Sequence, residues 1–257
     1  MSVDVVVLAG GKNGAEMAAA TGTENRALTP LGDRTMLDHV TSALRRAASV
    51  GEIYVVGAVP PGPDTHVIRG GETLLDNLMA GLRAAEAGAG GDRVLISTSD
   101  IPFLTPEAVE DFLIRATRSG ADLCCSYVPV DLCYARFPDM KRTAVKLREG
   151  RMTLGNLMLV NPHFLLANQE TIARAYDSRK SPIQVARMLG LGLLARLLLA
   201  QFLAPTLLTI GALEQNVSRL LGGGGRAVGI RSEYPEIGTD VDKPEDVAIA
   251  RRMLGGD

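Results

Sequence analysis

Val3-Asp4-Val5-Val6-Val7-Leu8-Ala9-Gly10-Gly11-Lys12 is the stretch that decides the fold. Its β-branched run is nearly unbroken, as expected of a strand buried on both faces, and it ends in a glycine pair. Working outward, the same grammar repeats. Ile53–Val56, Arg93–Ser97 and Ala121–Tyr127 read as further buried strands. Thr35–Ala48, Thr73–Ala87 and Thr105–Ser119 carry apolar residues at helical spacing between them. Thr105 is placed as an N-cap, with Pro106 at the first helical position and Glu107 in the first turn. Strands alternating with helices imply a mostly parallel sheet covered on both faces, an α/β/α three-layer architecture.

The second half is less regular. Lys146–Leu147 and Leu157–Val160 read as strands around a polar turn at Arg148–Arg151. Helices are expected over Pro162–Ala175, over one or two stretches of Pro182–Leu203, and over Leu213–Leu221. Arg226–Ile230 reads as a late strand, and Pro244–Leu254 as a terminal helix capped by Asp242 or Lys243. No repeat, low-complexity linker or charge block divides the chain. One domain over residues 1–257, with a helical insertion at about 163–221, is the expected organisation.

Composition narrows the function. The 257 residues carry 27 Lys+Arg and 29 Asp+Glu, a net charge of −2, which argues against a broad nucleic-acid surface. Hydrophobic residues at 46% exclude intrinsic disorder. The three cysteines, 124, 125 and 133, form neither a CxxC nor a zinc pattern and fit a reducing compartment. The N-terminus lacks the basic region of a signal peptide. Leu189–Leu208 is as long as a membrane span, but Arg196, Gln201 and Pro205 interrupt it. It is expected to be buried against the domain core or against a second copy of the chain, making a homodimer. A cytoplasmic protein is expected.

Ligands of open α/β sheets bind beyond the carboxyl ends of the strands. After the first strand, Gly10 and Gly11 allow backbone N–H groups to approach a phosphate, and Lys12 adds charge. A tight turn needing glycine explains the same residues. The segment is neither G-x-G-x-x-G nor a P-loop. After the third strand comes Ser97-Thr98-Ser99-Asp100-Ile101-Pro102, where Asp100 is placed to meet a ligand or cation, or to shape a turn. Gly238-Thr239-Asp240-Val241-Asp242 holds carboxylates dense enough for Mg²⁺, although Asp242 equally suits a helix cap.

In combination these segments resemble the MobA-like NTP transferases. Leu8–Gly11 looks like that family's phosphate loop, and Asn25–Val40 (NRALTPLGDRTMLDHV) like its "PKAL-PLGGRPLL" segment. Ser97–Val109 looks like its metal-Asp segment, and Asp240–Arg251 like its "VDTPEDL" segment. The order matches and spans nearly the whole chain. The resemblance implies a nucleotide-diphospho-sugar transferase-like fold and transfer of NMP from an NTP to a phosphorylated acceptor, with release of pyrophosphate. It implies that Leu8, Ala9, Gly10, Gly11, Lys12 and Arg26 meet the triphosphate, that Gly70, Gly71 and Asn77 meet the base, and that Asp100 contacts the nucleotide. Asp100 and Asp242 would hold Mg²⁺, with Arg26 as their catalytic companion. Asn156 and Lys141 would lie on the acceptor side; Lys141, Arg142 and Lys146 form a local basic cluster, which a solvated face explains equally.

Two departures stand out. Arg26 occupies a position where the family usually has Lys. A longer Lys12–Glu24 segment replaces the usual arginine-bearing loop, leaving Lys12 and Arg26 to supply the charge. Two other readings share the residues: a GT-A-type glycosyltransferase using a nucleotide-sugar, and a nucleotide-binding scaffold without turnover. The three histidines, 39, 66 and 163, fall in no motif, which agrees with a reaction whose phosphate nucleophile is already ionised near pH 7.

Overall fold

A computed structural model describes residues 2–88, 91–178, 208–222 and 224–255. Among the described residues the strands are β1 (Val3–Leu8), β2 (Pro30–Leu31), β3 (Arg34–Thr35), β4 (Val50–Val56), β5 (His66–Ile68), β6 (Val94–Thr98), β7 (Leu123–Pro129), β8 (Val145–Leu147), β9 (Gly150–Val160) and β10 (Ala227–Arg231). The helices are α1 (Ala15–Thr21), α2 (Met36–Arg46), α3 (Leu74–Ala87), α4 (Pro106–Ser119), α5 (Val130–Arg136), α6 (Pro162–Ala167), α7 (Gln169–Ser178), α8 (Ile210–Leu221) and α9 (Pro244–Leu254).

The main sheet runs β10-β7-β9-β6-β1-β4-β5, with β8 added to β9. Strand β1 is central and pairs in parallel with both neighbours, Leu8 lying opposite Val56 of β4 and Thr98 of β6. Its side chains alternate between two cores, as the pleat requires. Val5 and Val7 pack with Val40 and Leu44 of α2 and Phe112 of α4. Val6 packs on the opposite side with Met79 and Leu82 of α3 and Leu165 of α6. Helix α3 sits so close that a Cβ on Gly81 would stand 2.3 Å from Val6 Cγ1. The expected α/β layering is therefore present, with one refinement: β9 runs antiparallel between β6 and β7.

Helix starts follow local chemistry. Thr35 and Thr73 each accept from the backbone three residues on, and Asp38 and Asp76 return the bond, forming two capping boxes. Thr105 caps α4 before Pro106. So the helices expected from Thr35 and Thr73 each begin one residue later, and α4 begins at Pro106 after its expected cap, Thr105.

Other expectations need correction. The polar turn is only Arg148–Glu149; β9 starts at Gly150, because pairing with β7 and β8 overrides the polar composition. The helix expected over Pro162–Ala175 breaks at Asn168, whose Nδ2 donates to Phe164 O at 2.9 Å. Strand β5, the β2–β3 hairpin, α1 and α5 had no expectation. Most of the Leu189–Leu208 stretch, and with it the dimer expectation, lies outside the described residues; Leu208 is fully buried. Among the described residues no helix is long and apolar enough to cross a membrane.

Candidate active site at the carboxyl edge of the sheet

Two neighbouring features flank the end of β1. The first is a charge cluster. Asp100 lies two residues beyond β6, and its carbonyl accepts from Val241 N at 2.8 Å, which draws the segment before α9 against the strand end. Arg26 opens a 3₁₀ turn, Arg26–Leu28, capped by Asn25 Oδ1 accepting from Ala27 N at 2.9 Å. Arg26 N donates to Gly11 O at 2.9 Å, so the turn is fastened to the glycine loop. The Arg26 guanidinium then bridges two carboxylates: its Nη1 is 3.2 Å from Asp100 Oδ2 and 2.5 Å from Asp242 Oδ1. Chain separations of 74 and 216 residues collapse to one point.

Helix capping does not account for Asp242. The cap is made by Asp246, whose Oδ2 accepts from Asp242 N at 3.3 Å and Lys243 N at 3.2 Å. The Asp242 carboxylate is left free to face Arg26.

Asp240 and Arg142 extend the cluster. Asp240 lies next to Asp242 and forms an ion pair with Arg142 Nη1, although the two are 98 residues apart. Burial and the adjacent Asp242 carboxylate push the Asp240 carboxyl up to about 7, against the pull of Arg142. The Asp-Val-Asp spacing carried a usable signal, since residues two apart in extended chain share a face. Nothing local marked Arg142. It was grouped with Lys141 and Lys146 as a solvated or acceptor-facing patch, but its side chain is 5% exposed.

The second feature is a cleft of about 350 Å³ beyond β1, β4 and β5. Gly10, Gly11, Lys12, Asn25, Arg69, Gly70, Gly71 and Asn77 line it. Asn77 is buried, and its Oδ1 accepts from Gly71 N at 2.8 Å. A Cβ on Gly10 would stand 2.3 Å from Asn77 Nδ2, and one on Gly70 would stand 2.4 Å from its Oδ1. Gly10 and Gly70 are thus glycines because Asn77 is wedged between their backbones. Gly11 differs: its nearest neighbour would be Arg26 Cβ at 3.9 Å, so its side is open.

The remaining candidates fall as follows. Leu8 and Ala9 are buried, and Ala9 N donates to Val56 O at 2.8 Å, so their side chains belong to the core rather than the cleft lining. Lys141 is exposed and does not line the cleft. Asn156 Nδ2 donates to Ile237 O at 3.1 Å, tying β9 to the turn that precedes Asp240. The Lys12–Glu24 segment is no open loop: it contains α1, closed at its base by Asn13 N donating to Glu24 O at 2.8 Å. The histidines stand elsewhere. His66 pairs with Glu52 and His163 with Glu86, while burial and Arg34 lower the His39 pKa.

Among the described residues no group of three or more His, Cys, Asp or Glu side chains is arranged to hold a metal ion. Two carboxylates do converge on one cationic point, and Asp100 Oδ1 is buried without a partner. A hard cation that takes one or two carboxylates and draws its other ligands from phosphate and water fits that donor set.

The fold and the site together define an α/β protein with a glycine-lined cleft beside paired carboxylates. The model of the MobA-like NTP transferase domain matches residues 5–190, and the chain belongs to that family. A structure described as a hypothetical transferase from Thermus thermophilus superposes with a TM-score of 0.80 at 37% identity, covering 96% of this chain and 100% of that one. The chain is 32% identical over 135 residues to a 2-C-methyl-D-erythritol 4-phosphate cytidylyltransferase from Syntrophotalea carbinolica. That match covers 47% of this chain and 56% of the relative, so the chain spans little more than half the relative's length. A cytidylyltransferase of the same description from Thermus thermophilus shares the fold, with a TM-score of 0.56 at 19% identity over 98% of each chain.

Proposed function

We propose that the protein transfers a nucleoside monophosphate from an NTP to a phosphorylated acceptor and releases pyrophosphate, with Mg²⁺ as cofactor. The observation that carries this reading is the convergence of Asp100 and Asp242 on Arg26, a residue fastened by its backbone to the glycine loop. In this reading the base and ribose occupy the glycine cleft. Its snug backbone around Asn77 suits a flat ring, and the open side of Gly11 suits a phosphate. Lys12 and Arg26 supply positive charge toward the triphosphate. Asp100 and Asp242 would hold Mg²⁺, which when bound offsets the negative charge of the phosphates.

An acceptor phosphate oxygen attacks the α-phosphorus. A new P–O bond forms, the α–β bridging bond breaks, and its electron pair leaves with pyrophosphate. A phosphate monoester has a second pKa of about 6, so it arrives ionised and needs no general base. The absence of a histidine from the cleft lining agrees with that requirement. The chain's contribution is positioning and charge stabilisation. Asn156 and Lys141 are assigned to the acceptor side.

The test is pyrophosphate release from each of the four ribonucleoside triphosphates, with and without Mg²⁺, against a panel of sugar and polyol phosphates. Acceptor-dependent, Mg²⁺-dependent release is expected. Consumption of a nucleotide-sugar in place of an NTP would replace this reading with glycosyl transfer. Tight NTP binding with no release against any acceptor would leave a nucleotide-binding scaffold.

A further inference from the structure

Asn25 stands where the cleft meets the charge cluster: it lines the cleft and directly precedes Arg26 in the chain. Its side-chain amide is taken up by two backbone groups on different sides. Oδ1 accepts from Ala27 N at 2.9 Å and so caps the turn that carries Arg26. Nδ2 donates to Ala58 O at 3.0 Å, although the two residues are 33 apart in the chain. A side chain that only capped the turn would need no donor, and serine, threonine or aspartate would serve. An amide is the group that caps with its oxygen and holds a second segment with its nitrogen.

The anchor at Ala58 is firm. It follows Gly57, whose N donates to Ile68 O at 3.1 Å. A Cβ on Gly57 would stand 2.5 Å from Ala9 O, so this wall of the cleft is pressed against the end of β1. The main chain beside Asn25 is held to the glycine loop, by Asn13 N donating to Glu24 O at 2.8 Å and Arg26 N to Gly11 O at 2.9 Å. The Asn25 amide adds the end of β4. The turn is thus fixed between the ends of β1 and β4, and the Arg26 side chain leaves it to reach Asp100 Oδ2 at 3.2 Å. Under the proposed function the guanidinium turns to the triphosphate, and the fastening of its turn then sets how far it stands from the base.

We propose that Asn25 is a positioning residue that couples the cleft to the phosphate grip: by bonding Ala58 it holds Arg26 at the distance from the base where the triphosphate lies. This inference rests on the proposed nucleotidyl transfer and names the residue that joins its base and phosphate halves.

The experiment is a double-mutant cycle in NTP affinity. The full chain is titrated calorimetrically with each of the four ribonucleoside triphosphates in Mg²⁺ buffer, with thermal melts alongside. Asn25→Ser keeps an oxygen to cap Ala27 N but is too short to reach Ala58 O. For the triphosphate that wild type binds most tightly, Asn25→Ser should weaken binding about fivefold or more, and Arg26→Ala about tenfold or more. In an Arg26→Ala background Asn25→Ser should weaken binding less than about twofold, because no guanidinium is left to aim. A residue that only shaped the cleft would lose the same factor in both backgrounds, and that result overturns the positioning role. Wild-type affinity in a folded Asn25→Ser protein overturns it too. Should Asn25→Ser fail to fold, Asn25→Thr replaces it, since it also caps without reaching Ala58. Failure of wild type to bind any NTP, or undiminished NTP affinity in Arg26→Ala, overturns the proposed function itself. Those results are distinct from equal losses in the two backgrounds, which leave the proposed function standing and remove Asn25 alone.

Discussion

Gly10→Ala isolates the packing that shapes the cleft. The added Cβ would stand 2.3 Å from Asn77 Nδ2, whereas carbon and nitrogen at ordinary contact need roughly 3.5 Å. Asn77 must retreat by roughly 1 Å. Retreat is blocked on the far side, where Gly70 leaves room for Asn77 Oδ1 only because it lacks a Cβ. Two costs follow. Overpacking a filled site costs about 1–3 kcal/mol. Breaking the 2.8 Å bond from Gly71 N takes a partner from the Oδ1 of buried Asn77, while exposed Gly71 can turn its N–H to water, a further cost of about 0.5–1.5 kcal/mol. For a chain of this size each kcal/mol lowers the melting temperature by about 2–4 °C. Asn77→Ala removes the obstacle, so the double variant should recover about 1–3 kcal/mol relative to additivity. Urea denaturation of the four proteins measures the cycle, and calorimetric titration with NTP measures the cleft. Nucleotide affinity should fall with Gly10→Ala and return in part in the double variant. A Gly10→Ala protein as stable as wild type, or strict additivity of the two changes, would refute the wedge.

The other perturbations address charge and protonation. Asp100→Asn should lower kcat by about 10²–10³-fold, the scale of losing one preorganised charge at a reaction centre, with an unchanged circular dichroism spectrum; near wild-type kcat would remove Asp100 from the site. Arg26→Ala should weaken NTP binding and turnover more than tenfold, while Arg26→Lys keeps the charge and should lose less; equal, negligible effects would mean that this turn does not reach the phosphates. Burial raises the thiol of Cys124 and of Cys133, and pushes that of Cys125 from 9.0 up to about 12. The native protein therefore keeps protons that the unfolded chain releases above pH 9, and stability should fall as pH rises past 9. Cys125→Ala should flatten that slope in melts between pH 8 and 10.5.

Much of the fold was legible because its signals are local. The apolar run of β1, and the threonines at 35, 73 and 105 with their helical spacing, depend on neighbours within a few residues. What escaped depends on long-range pairing. Gly150 and Arg151 at the start of β9 read as part of a polar turn, and only pairing with β8 makes them strand. Arg142 read as a surface cation because its partner Asp240 is 98 residues away. Asn77 lines the cleft, but what packs around it was not legible. Its nearest partners are glycine backbones, which no side-chain pattern reveals.

The two halves of the site are held by different means, and this bears on how they divide the work. The backbone that carries the carboxylates is tethered to strands: Asp100 lies two residues beyond β6, and the Asp240–Asp242 segment is joined by a backbone bond to Asp100 and by Asn156 of β9 through Ile237. Groups carried on sheet edges hold their geometry to a fraction of an ångström, as charge stabilisation demands. The cleft is instead closed by loops around one buried asparagine, with Asn25 Nδ2 donating to Ala58 O at 3.0 Å to join the Arg26 turn to the end of β4. Changes in the loop lining should therefore alter which base is accepted while leaving the carboxylate geometry in place. Changes at Asp100 or Asp242 should reduce turnover for every base alike.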